Sequence, residues 1–212
     1  MESRSDILDY ERDLWARGVA RVAGVDEVGR GPLAGPVVAA AVILAEGVAI
    51  DGATDSKALT PERRTEIATE IEARAAAIAL GAASVREIDR LNILRATTQA
   101  MTRALARLPV TPDHVVVDGL PVRDLGWEHD AVVGGDARVH SIACASIVAK
   151  VCRDRLMTLL AARYPDYGWE RNMGYATRRH RSALRESGLT PHHRTTFGLL
   201  QLELPFADLA RD

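Results

Sequence analysis

Residues 22–36, with the sequence VAGVDEVGRGPLAGP, constrain the fold of this chain more than any other stretch. The stretch begins apolar, as a buried strand does, and then presents the adjacent carboxylates of Asp26 and Glu27. A buried carboxylate must be neutralised, paired or bound to a cation, because burying its charge is costly. Alone, such a pair is most often the solvated end of a strand.

Two glycines and an arginine follow this acidic pair. Gly29 and Gly31 carry no Cβ atom, so the backbone can approach a ligand closely. Arg30 between them is a planar fork of donors that suits phosphate. Carboxylates for cations beside a guanidinium for phosphate indicate metal-dependent phosphodiester chemistry.

Two common phosphate-binding loops do not fit these glycines. The spacing from Gly24 to Gly29 is that of a P-loop, which should continue with Lys and then Ser or Thr, but Arg30 and Gly31 follow here. Residues 29–34 fit a looser dinucleotide-binding pattern, which should open a helix. A Val- and Ala-rich run over residues 37–44 follows instead, which predicts a strand.

The composition is that of a soluble globular protein. The 212 residues, 47% hydrophobic and 26% charged, allow one domain with room for an appendage. No apolar run approaches the roughly 20 residues of a membrane span, and residues 1–6 lack the apolar core of a signal peptide. We therefore expect a cytoplasmic protein with no membrane partner. Cys144 and Cys152 should lie about 12 Å apart along one helix, too far apart for a disulfide.

The charge is unevenly distributed along the chain. The net charge is -2, yet residues 150–194 contain ten Lys and Arg against four Asp and Glu, which leaves -8 for the rest. Such a basic stretch can be a phosphate footprint in a slightly acidic protein. A run of charge is also commonly a solvated face, so the balance alone does not decide.

Apolar runs, caps and turns predict alternating strands and helices. The first two runs are joined by Gly-Pro turns, which predicts an antiparallel hairpin. Thr60, followed by Pro61, and Asn92 are good helix caps. The predicted strands cover residues 22–28, 37–44, 76–83, 115–117 and 131–133, and the predicted helices cover residues 61–74, 93–108, 141–163 and 176–186.

Acidic residues occur where three predicted strands end: Asp26 with Glu27, Asp118, and Asp136. Sites in α/β proteins form at the carboxyl ends of strands, so these residues predict a shared metal site. Because adjacent side chains on a regular strand point to opposite faces, we expect the first strand to end or bend at the acidic pair. Asp26 should ligate directly, and Glu27 should act from the turn, through its carbonyl or through neighbouring groups.

Other residues are candidates for substrate contact, each with a plainer alternative. Ser146 and Lys150 share a helix face that, with Arg153 nearby, either meets a phosphate backbone or is solvated, with Lys150 paired to Asp154. Lys57 is either a surface lysine or a phosphate contact.

The same choice applies near the C-terminus. Tyr175 either packs in the fold or stacks on nucleic acid beside its neighbouring arginines. His192, His193 and Arg194 lack a third metal ligand at a suitable spacing, and polar capping or phosphate contact is favoured.

Together these segments resemble the bacterial ribonuclease HII family, from about residue 20 to residue 198. The order and spacing of many motifs make the resemblance specific. The motifs are GVDEVGRGPLAGPV at residues 24–37, DSK at 55–57, NIL at 92–94, VDG at 117–119, GD at 135–136, ASIVAKV at 145–151, RDR at 153–155, YP at 164–165, GY at 174–175 and HR at 193–194.

The resemblance implies an α/β fold, namely a ribonuclease H-like mixed five-stranded sheet flanked by helices, with a C-terminal helical segment. It implies a catalytic core over residues 18–165 and a substrate-binding segment over residues 166–212, in one folded unit. The chain departs from the family pattern at Ala176, where glycine is usual, and at Cys144 and Cys152, where alanine and threonine are commoner. The departure at Ala176 bears on the placement of Tyr175.

The resemblance also implies the roles of individual residues. Residues 29–31 are implied to read the 2′-hydroxyl at an RNA–DNA junction, with Tyr175 on the sugar beyond it. The implied catalytic residues, which would bind two divalent cations, Mn²⁺ or Mg²⁺, are Asp26, Glu27, Asp118 and Asp136, and the implied substrate-binding residues are Gly29, Arg30, Gly31, Lys57, Ser146, Lys150, Tyr175 and Arg194.

The implied activity is endonucleolytic hydrolysis of RNA in RNA/DNA hybrids and on the 5′ side of ribonucleotides in duplex DNA, leaving 3′-hydroxyl and 5′-phosphate ends. One cation would activate water and the other would stabilise the leaving oxyanion. We expect a monomer, and residues 200–210 hold no convincing clamp-binding motif. Two alternatives stay open: a two-metal exonuclease or resolvase on the same fold, and a non-catalytic hybrid-binding module.

Overall fold

The computed structural model describes residues 7–54 and 56–197. The C-terminal stretch considered for clamp binding, and Asp55 of the DSK motif, lie outside the described residues. The strands are β1 (Val22–Val28), β2 (Val37–Ile43), β3 (Ala77–Ala83), β4 (His114–Asp118) and β5 (Asp130–Val132). The helices are α1 (Asp9–Ala16), α2 (Pro61–Arg74), α3 (Val85–Leu91), α4 (Ile93–Ala106), α5 (His140–Arg163), α6 (Trp169–Asn172) and α7 (Arg178–Ser187), with 3₁₀ turns at Gly135–Ala137 and Pro165–Tyr167.

The five strands form one mixed sheet in the order β3-β2-β1-β4-β5. The pairs β1–β2 and β2–β3 are antiparallel, and the pairs β1–β4 and β4–β5 are parallel. The predicted hairpin and the predicted mixed five-stranded sheet are confirmed. Because β1, β4 and β5 run in parallel, their carboxyl ends meet at one edge of the sheet.

Helices cover both faces of this sheet. One face packs on α4 through small and apolar residues such as Ala100, Met101 and Ala104. The opposite face packs on α2 and on the first half of α5, where Ile71, Ala145 and Ile147 are buried. Burying apolar side chains on both faces leaves the strand ends as the place where charged groups can gather.

Local signals explain most of the helix boundaries. Thr60 accepts a hydrogen bond from the Arg63 amide, and Asn92 accepts one from the Arg95 amide, as the caps predict. Helix α3 was not among the predicted helices, although Ser84 and Glu87 form a capping box at its start. The last helix begins at Arg178 rather than at Ala176, since Thr177 is its N-cap.

The segment after α5 packs back onto the loop between β1 and β2. Leu33 of that loop shares an apolar cluster with Met157 of α5 and with Trp169 and Leu184 of the C-terminal segment. The N-terminal helix α1 packs through Leu14 against Ile142 of α5. None of the helices in the described part of the chain is both long and apolar enough to cross a bilayer.

Candidate active site

Three acidic positions meet at the carboxyl edge of the parallel strands. Val25 of β1 pairs with Val117 of β4, so the next residue on each strand brings Asp26 beside Asp118. Asp118 pairs in turn with Val132, the last residue of β5. Asp136 follows in the 3₁₀ turn, and the Asp118 carboxylate accepts a hydrogen bond of 2.7 Å from the Gly135 amide. The strand register therefore gathers acids that are far apart in sequence.

A cavity of about 410 Å³ opens at this edge. The four predicted metal-binding carboxylates all line it, together with four of the predicted substrate-binding residues. Its lining residues are Asp26, Glu27, Val28, Ser56, Lys57, Arg64, Asp118, Asp136, Ser146, Lys150 and Tyr175. Acidic groups and groups that suit phosphate thus share one concave surface.

The backbone at the acidic pair belongs to strand β1. The strand covers Val22–Val28 as predicted and stays paired with β2 as far as Val28, so it does not end at the acidic pair. Pairing with β4 stops one residue before Asp26 instead. The Asp26 carboxylate accepts a hydrogen bond of 2.7 Å from the Glu27 amide, and the Glu27 carboxylate pairs with Arg30 at 3.1 Å. Both acids nevertheless line the same cavity.

The two neighbouring acids have raised pKa values. Burial, followed by the charges of Glu27 and Asp118, raises the pKa of Asp26 to about 8, against a hydrogen bond from Ser146. Burial also raises the pKa of Glu27, and Arg30 opposes that rise. Carboxylates placed close together disfavour their own ionisation unless a cation neutralises them. This cluster therefore has the electrostatics of a cation site.

The donors in this cavity suit hard divalent cations. All four acidic residues offer carboxylate oxygens, and neither histidine nor thiolate lines the cavity, which favours Mg²⁺ or Mn²⁺ over zinc. Among the described residues, no three His, Cys, Asp or Glu side chains are close enough to enclose one ion together.

Polar residues of α5 and of the loop before α2 form the opposite wall. Ser146 donates to the Ser56 hydroxyl at 2.9 Å. The Nζ atom of Lys150 lies 2.8 Å from Asp154, as one of the two alternatives predicts, and Lys150 also lines the cavity. Lys57 is exposed at the rim.

The glycine loop, residues 29–36, lies beside the cavity, and Tyr175 connects the loop to the cavity. A Cβ atom on Gly31 would lie 3.5 Å from Cε1 of Tyr175. Tyr175 is 48% exposed, so it is available for contact rather than packed in the fold. Arg30 is exposed as well and reaches back to Glu27.

A buried histidine pair supports the backbone of Tyr175. The Thr190 amide can only donate, so Nδ1 of His193 accepts its hydrogen bond of 2.9 Å. Nε2 of His193 then donates to Nε2 of His180 at 3.0 Å, and Trp169 donates to the same atom at 3.2 Å. Nδ1 of His180 donates to the Tyr175 carbonyl at 2.9 Å. Both rings are therefore neutral, each with one defined tautomer.

Arg153 and Arg194 do not lie where phosphate contact requires them. Both side chains have 0% exposure, and their guanidinium groups donate to backbone carbonyls of the glycine loop. The contacts of Arg194 fit the polar-capping alternative rather than phosphate contact, and Arg153 likewise faces backbone carbonyls instead of an open surface. An arginine in a polar motif is ambiguous in sequence, because carbonyl oxygens satisfy its donors as well as phosphate does.

Glu11, Ser56 and Arg64 were assigned no individual role from the sequence. Glu11 of α1 is 1% exposed and accepts hydrogen bonds of 2.7 Å and 2.8 Å from the amide and hydroxyl of Ser141, at the start of α5. Its place between Leu8 and Leu14 on one helix face was the available signal. Ser56 contacts Ser146, and Arg64 holds the Ser56 carbonyl at 2.8 Å.

Two solved structures with this architecture are ribonucleases H. The ribonuclease H2 of Pyrococcus horikoshii OT3 superposes with a TM-score of 0.75 at 27% identity, over 86% of this chain and 96% of that chain. The Bst ribonuclease HIII in complex with Mn²⁺ superposes with a TM-score of 0.68 at 20% identity, over 92% and 71% of the two chains, and shows the shared fold. The fold and the acidic edge together define a ribonuclease H-like protein.

The sequence narrows this class to one family. Residues 23–199 match the family model for ribonuclease HII, so the chain belongs to that family. The ribonuclease HII of Thermosynechococcus vestitus (strain NIES-2133 / IAM M-273 / BP-1) is 55% identical over 193 residues, covering 90% of this chain and 89% of that protein. The protein is thus a metal-dependent endoribonuclease that hydrolyses phosphodiester bonds in RNA/DNA hybrids.

Proposed function

We propose that this enzyme cuts on the 5′ side of single ribonucleotides embedded in duplex DNA, in addition to RNA strands of hybrids, and leaves 3′-hydroxyl and 5′-phosphate ends. The observation that carries the proposal is the meeting of two chemistries in one cavity. Four carboxylates and four predicted substrate-binding side chains line it, with the glycine loop beside it.

The acidic residues are assigned to cation binding. Asp26, Asp118 and Asp136 are the direct ligands, and Glu27 contributes from the end of β1, by its carbonyl or by its Arg30-paired carboxylate. Two divalent cations, Mn²⁺ or Mg²⁺, supply an activated water and charge stabilisation for the leaving 3′-oxygen when bound. The Mn²⁺ in the Bst ribonuclease HIII complex, a protein of the same fold, supports this choice of metals.

The basic wall is assigned to the nucleic-acid backbone. Lys57 and Lys150 place ammonium groups at the cavity, and Ser146 adds a hydroxyl beside Asp26. These groups attract phosphate but cannot tell RNA from DNA, because both carry the same backbone charge. They set the register of the strand over the carboxylates.

Selection of a ribonucleotide is assigned to the glycine loop and Tyr175. The 2′-hydroxyl is the group that separates RNA from DNA. A single neutral hydrogen bond contributes only about 0.5–1.5 kcal/mol, whereas leaving buried polar groups unpaired by the wrong substrate gives rejection of roughly 10⁴-fold. Backbone groups of residues 29–31 would close over the ribose while the exposed Tyr175 ring packs on the next sugar.

In this proposal Arg194 does not contact the substrate directly. We keep the division into a catalytic core over residues 18–165 and a substrate-binding segment over residues 166–212. Most of the residues that hold Tyr175 belong to that later segment. Monomeric state and cytoplasmic location are proposed on the sequence alone.

A substrate panel tests the proposal. Three duplexes of one sequence are compared with Mn²⁺ and with chelator: all DNA, DNA with one central ribonucleotide, and RNA/DNA hybrid, with the ends mapped. We expect one cut on the 5′ side of the ribonucleotide, many cuts in the hybrid RNA and none in the all-DNA duplex. Asp118→Asn should bind the duplexes without cutting them. Cutting of the hybrid alone would refute the embedded-ribonucleotide activity, and binding without cutting by wild type would favour a binding module.

A further inference from the structure

Arg153, on α5, joins the two segments that are assigned to ribose selection. Its Nε and Nη2 atoms donate to the carbonyls of Pro36 at 3.0 Å and Ala34 at 3.1 Å, in the glycine loop. Its Nη1 atom donates to the Met173 carbonyl at 2.9 Å, two residues before Tyr175. A single guanidinium therefore fixes the distance between the glycine loop and the tyrosine.

Arg194 holds the other end of the glycine loop. Its guanidinium donates to the carbonyls of Gly29 at 2.5 Å, Arg30 at 2.8 Å and Gly35 at 2.8 Å and 3.0 Å. In a planar trans peptide the N–H points opposite to the C=O. With the carbonyls of residues 29 and 30 turned inward, the amides of Arg30 and Gly31 are turned outward.

These two amides are unpaired within the described structure. Neither the Arg30 N–H nor the Gly31 N–H donates to an acceptor in the described residues, whereas the Leu33 and Gly35 amides donate to the carbonyls of Gly174 and His192. The loop is thus anchored at its centre, and its ligand-facing amides stay available. Two adjacent outward amides form a site for an anionic or strongly polar oxygen.

Neither arginine forms a direct ion pair with a described carboxylate, although the charges of Asp154 and Asp89 favour the charged forms of Arg153 and Arg194 from a greater distance. All hydrogen bonds of both guanidinium groups go to backbone carbonyls. The Asp89 carboxylate near Arg194 accepts from the amides and hydroxyls of Thr195 and Thr196 instead. Buried cations are costly unless compensated, and a substrate phosphate at the loop would add negative charge closer to the two guanidinium groups.

We propose that Arg153 and Arg194 are positioning residues for ribonucleotide selection. Their forks hold the glycine loop and Tyr175 as one unit with two amides outward, and their charges, which form no direct ion pair with a described carboxylate, strengthen phosphate binding without touching the phosphate. The proposal rests on the proposed function of the same loop. Each arginine contributes in two ways: its planar fork of donors holds the geometry of the loop, and its positive charge favours phosphate binding.

Conservative and neutral substitutions separate these contributions. Arg153→Lys and Arg194→Lys keep the positive charge, but a lysine side chain cannot span three carbonyls. We therefore expect kcat on the single-ribonucleotide duplex to fall about tenfold or more, which corresponds to a loss of about 1.4 kcal/mol. KM should stay within about threefold of the wild-type value. Arg153→Gln and Arg194→Gln should in addition raise KM about tenfold and flatten its salt dependence. Arg74→Gln, at an exposed arginine on α2, is the control and should leave both constants unchanged.

Two results would overturn the proposal: Lys variants with wild-type kcat, or Gln variants with wild-type KM and salt dependence. All assays run well below each melting temperature, with Mn²⁺ binding measured beside them. Hydrogen exchange on the wild type decides the case if a variant does not fold. Residues 29–36 have no helix or strand, yet the Leu33 and Gly35 amides should be protected, and exchange as fast as in residues 45–49 would reject the rigid unit.

Failure of the proposed function would look different. If wild-type enzyme cuts hybrids but not the single-ribonucleotide duplex, embedded-ribonucleotide cleavage is refuted, and the arginine variants are then compared on the hybrid. An unchanged kcat and KM of the variants on that substrate would refute the arginine proposal separately.

Discussion

Gly24 and Ser141 pack backbone against backbone: a Cβ atom on Gly24 would lie 2.2 Å from the carbonyl carbon of Ser141. This contact seats the start of α5 directly on β1. Asp26 lies two residues further along the strand, and Ser146 five residues further along the helix, so the contact sets how closely those two side chains approach. Glu11 caps the same end of α5.

Gly24→Ala should therefore separate α5 from β1. Relaxing an overlap with rigid backbone costs about 1–3 kcal/mol or more, and we expect loss of stability at the upper end together with reduced activity. Gly47→Ala is the control, since Gly47 has a positive φ of 75° but open space around it, and should cost about 1–2 kcal/mol. Urea unfolding measures both, and a smaller loss for Gly24→Ala than for Gly47→Ala would contradict the contact's role.

Neutralising Asp26 should stabilise the metal-free protein at alkaline pH. Its pKa is about 8 in the folded state against 3.8 ordinarily, so the folded protein holds a proton that the unfolded chain releases, and stability falls as pH rises from about 4 to 8. Asp26→Asn removes this fall. In chelator at pH 8 we expect the variant to be more stable by on the order of 1–3 kcal/mol, with little difference at pH 4.

Excess Mn²⁺ should reverse that order, because only the wild type gains binding free energy from the cation. Asp118→Asn and Asp136→Asn should lose cleavage activity while the protein remains folded. If Asp26→Asn is less stable than wild type in chelator at pH 8, the carboxylate is structural, and the cation-site assignment fails for that residue.

The buried histidine pair should make the protein acid-sensitive. Burial, followed by the charge of His180, lowers the pKa of His193 to about 3, and burial also lowers the pKa of His180. Below about pH 6.5 the unfolded chain takes up protons that the folded protein refuses, so stability falls toward acid, by up to about 1.4 kcal/mol per pH unit for each group. His193→Gln should be less stable at pH 7 but show a shallower fall between pH 6.5 and 4.5. Equal slopes in urea unfolding would argue against the neutral pair.

Much of the fold could be read from the sequence because strong local signals agree with the tertiary packing. The run over β2 is apolar on both faces, as a strand buried between two helical layers must be, and Thr60 and Asn92 cap the helices as expected. Helix α3 was not predicted because its seven residues show little hydrophobic periodicity, although the capping box of Ser84 and Glu87 can be recognised in the sequence.

The acidic cluster could be predicted in membership but not in geometry. The ends of β1, β4 and β5 place the acids, yet the register of β1 beyond Val25 depends on two partners of different direction, which no local pattern encodes. The burial of Arg153 and Arg194 could not be predicted from the sequence for a similar reason. Whether a guanidinium meets a carbonyl or a phosphate depends on chain segments more than a hundred residues away, as with Gly29 and Arg194.

Substitutions at Gly31 test the ribose reader in graded steps. The position of a Cβ atom there is 3.5 Å from the Tyr175 ring, which is ordinary contact. Gly31→Ala should fold normally and cut the single-ribonucleotide duplex more slowly. Gly31→Val should abolish that cutting, because the branched side chain fills the space between loop and ring.

Tyr175→Ala should also impair cutting, through misplacement of the sugar and with unchanged Mn²⁺ affinity. Cleavage rates and metal titration for each variant are the measurements. A Gly31→Val enzyme that cuts at the wild-type rate would show that selection of the ribonucleotide lies elsewhere.

The most direct measurement uses a covalently closed circular duplex that carries one ribonucleotide. It offers no end to an exonuclease and no branched junction to a resolvase, and only one 2′-hydroxyl. With Mn²⁺, the wild-type enzyme should convert the closed circle to a nicked circle with a 3′-hydroxyl immediately 5′ of the ribonucleotide, while an all-DNA circle stays closed and Asp118→Asn nicks neither. A circle that remains closed under conditions in which a long RNA/DNA hybrid is degraded would contradict the account.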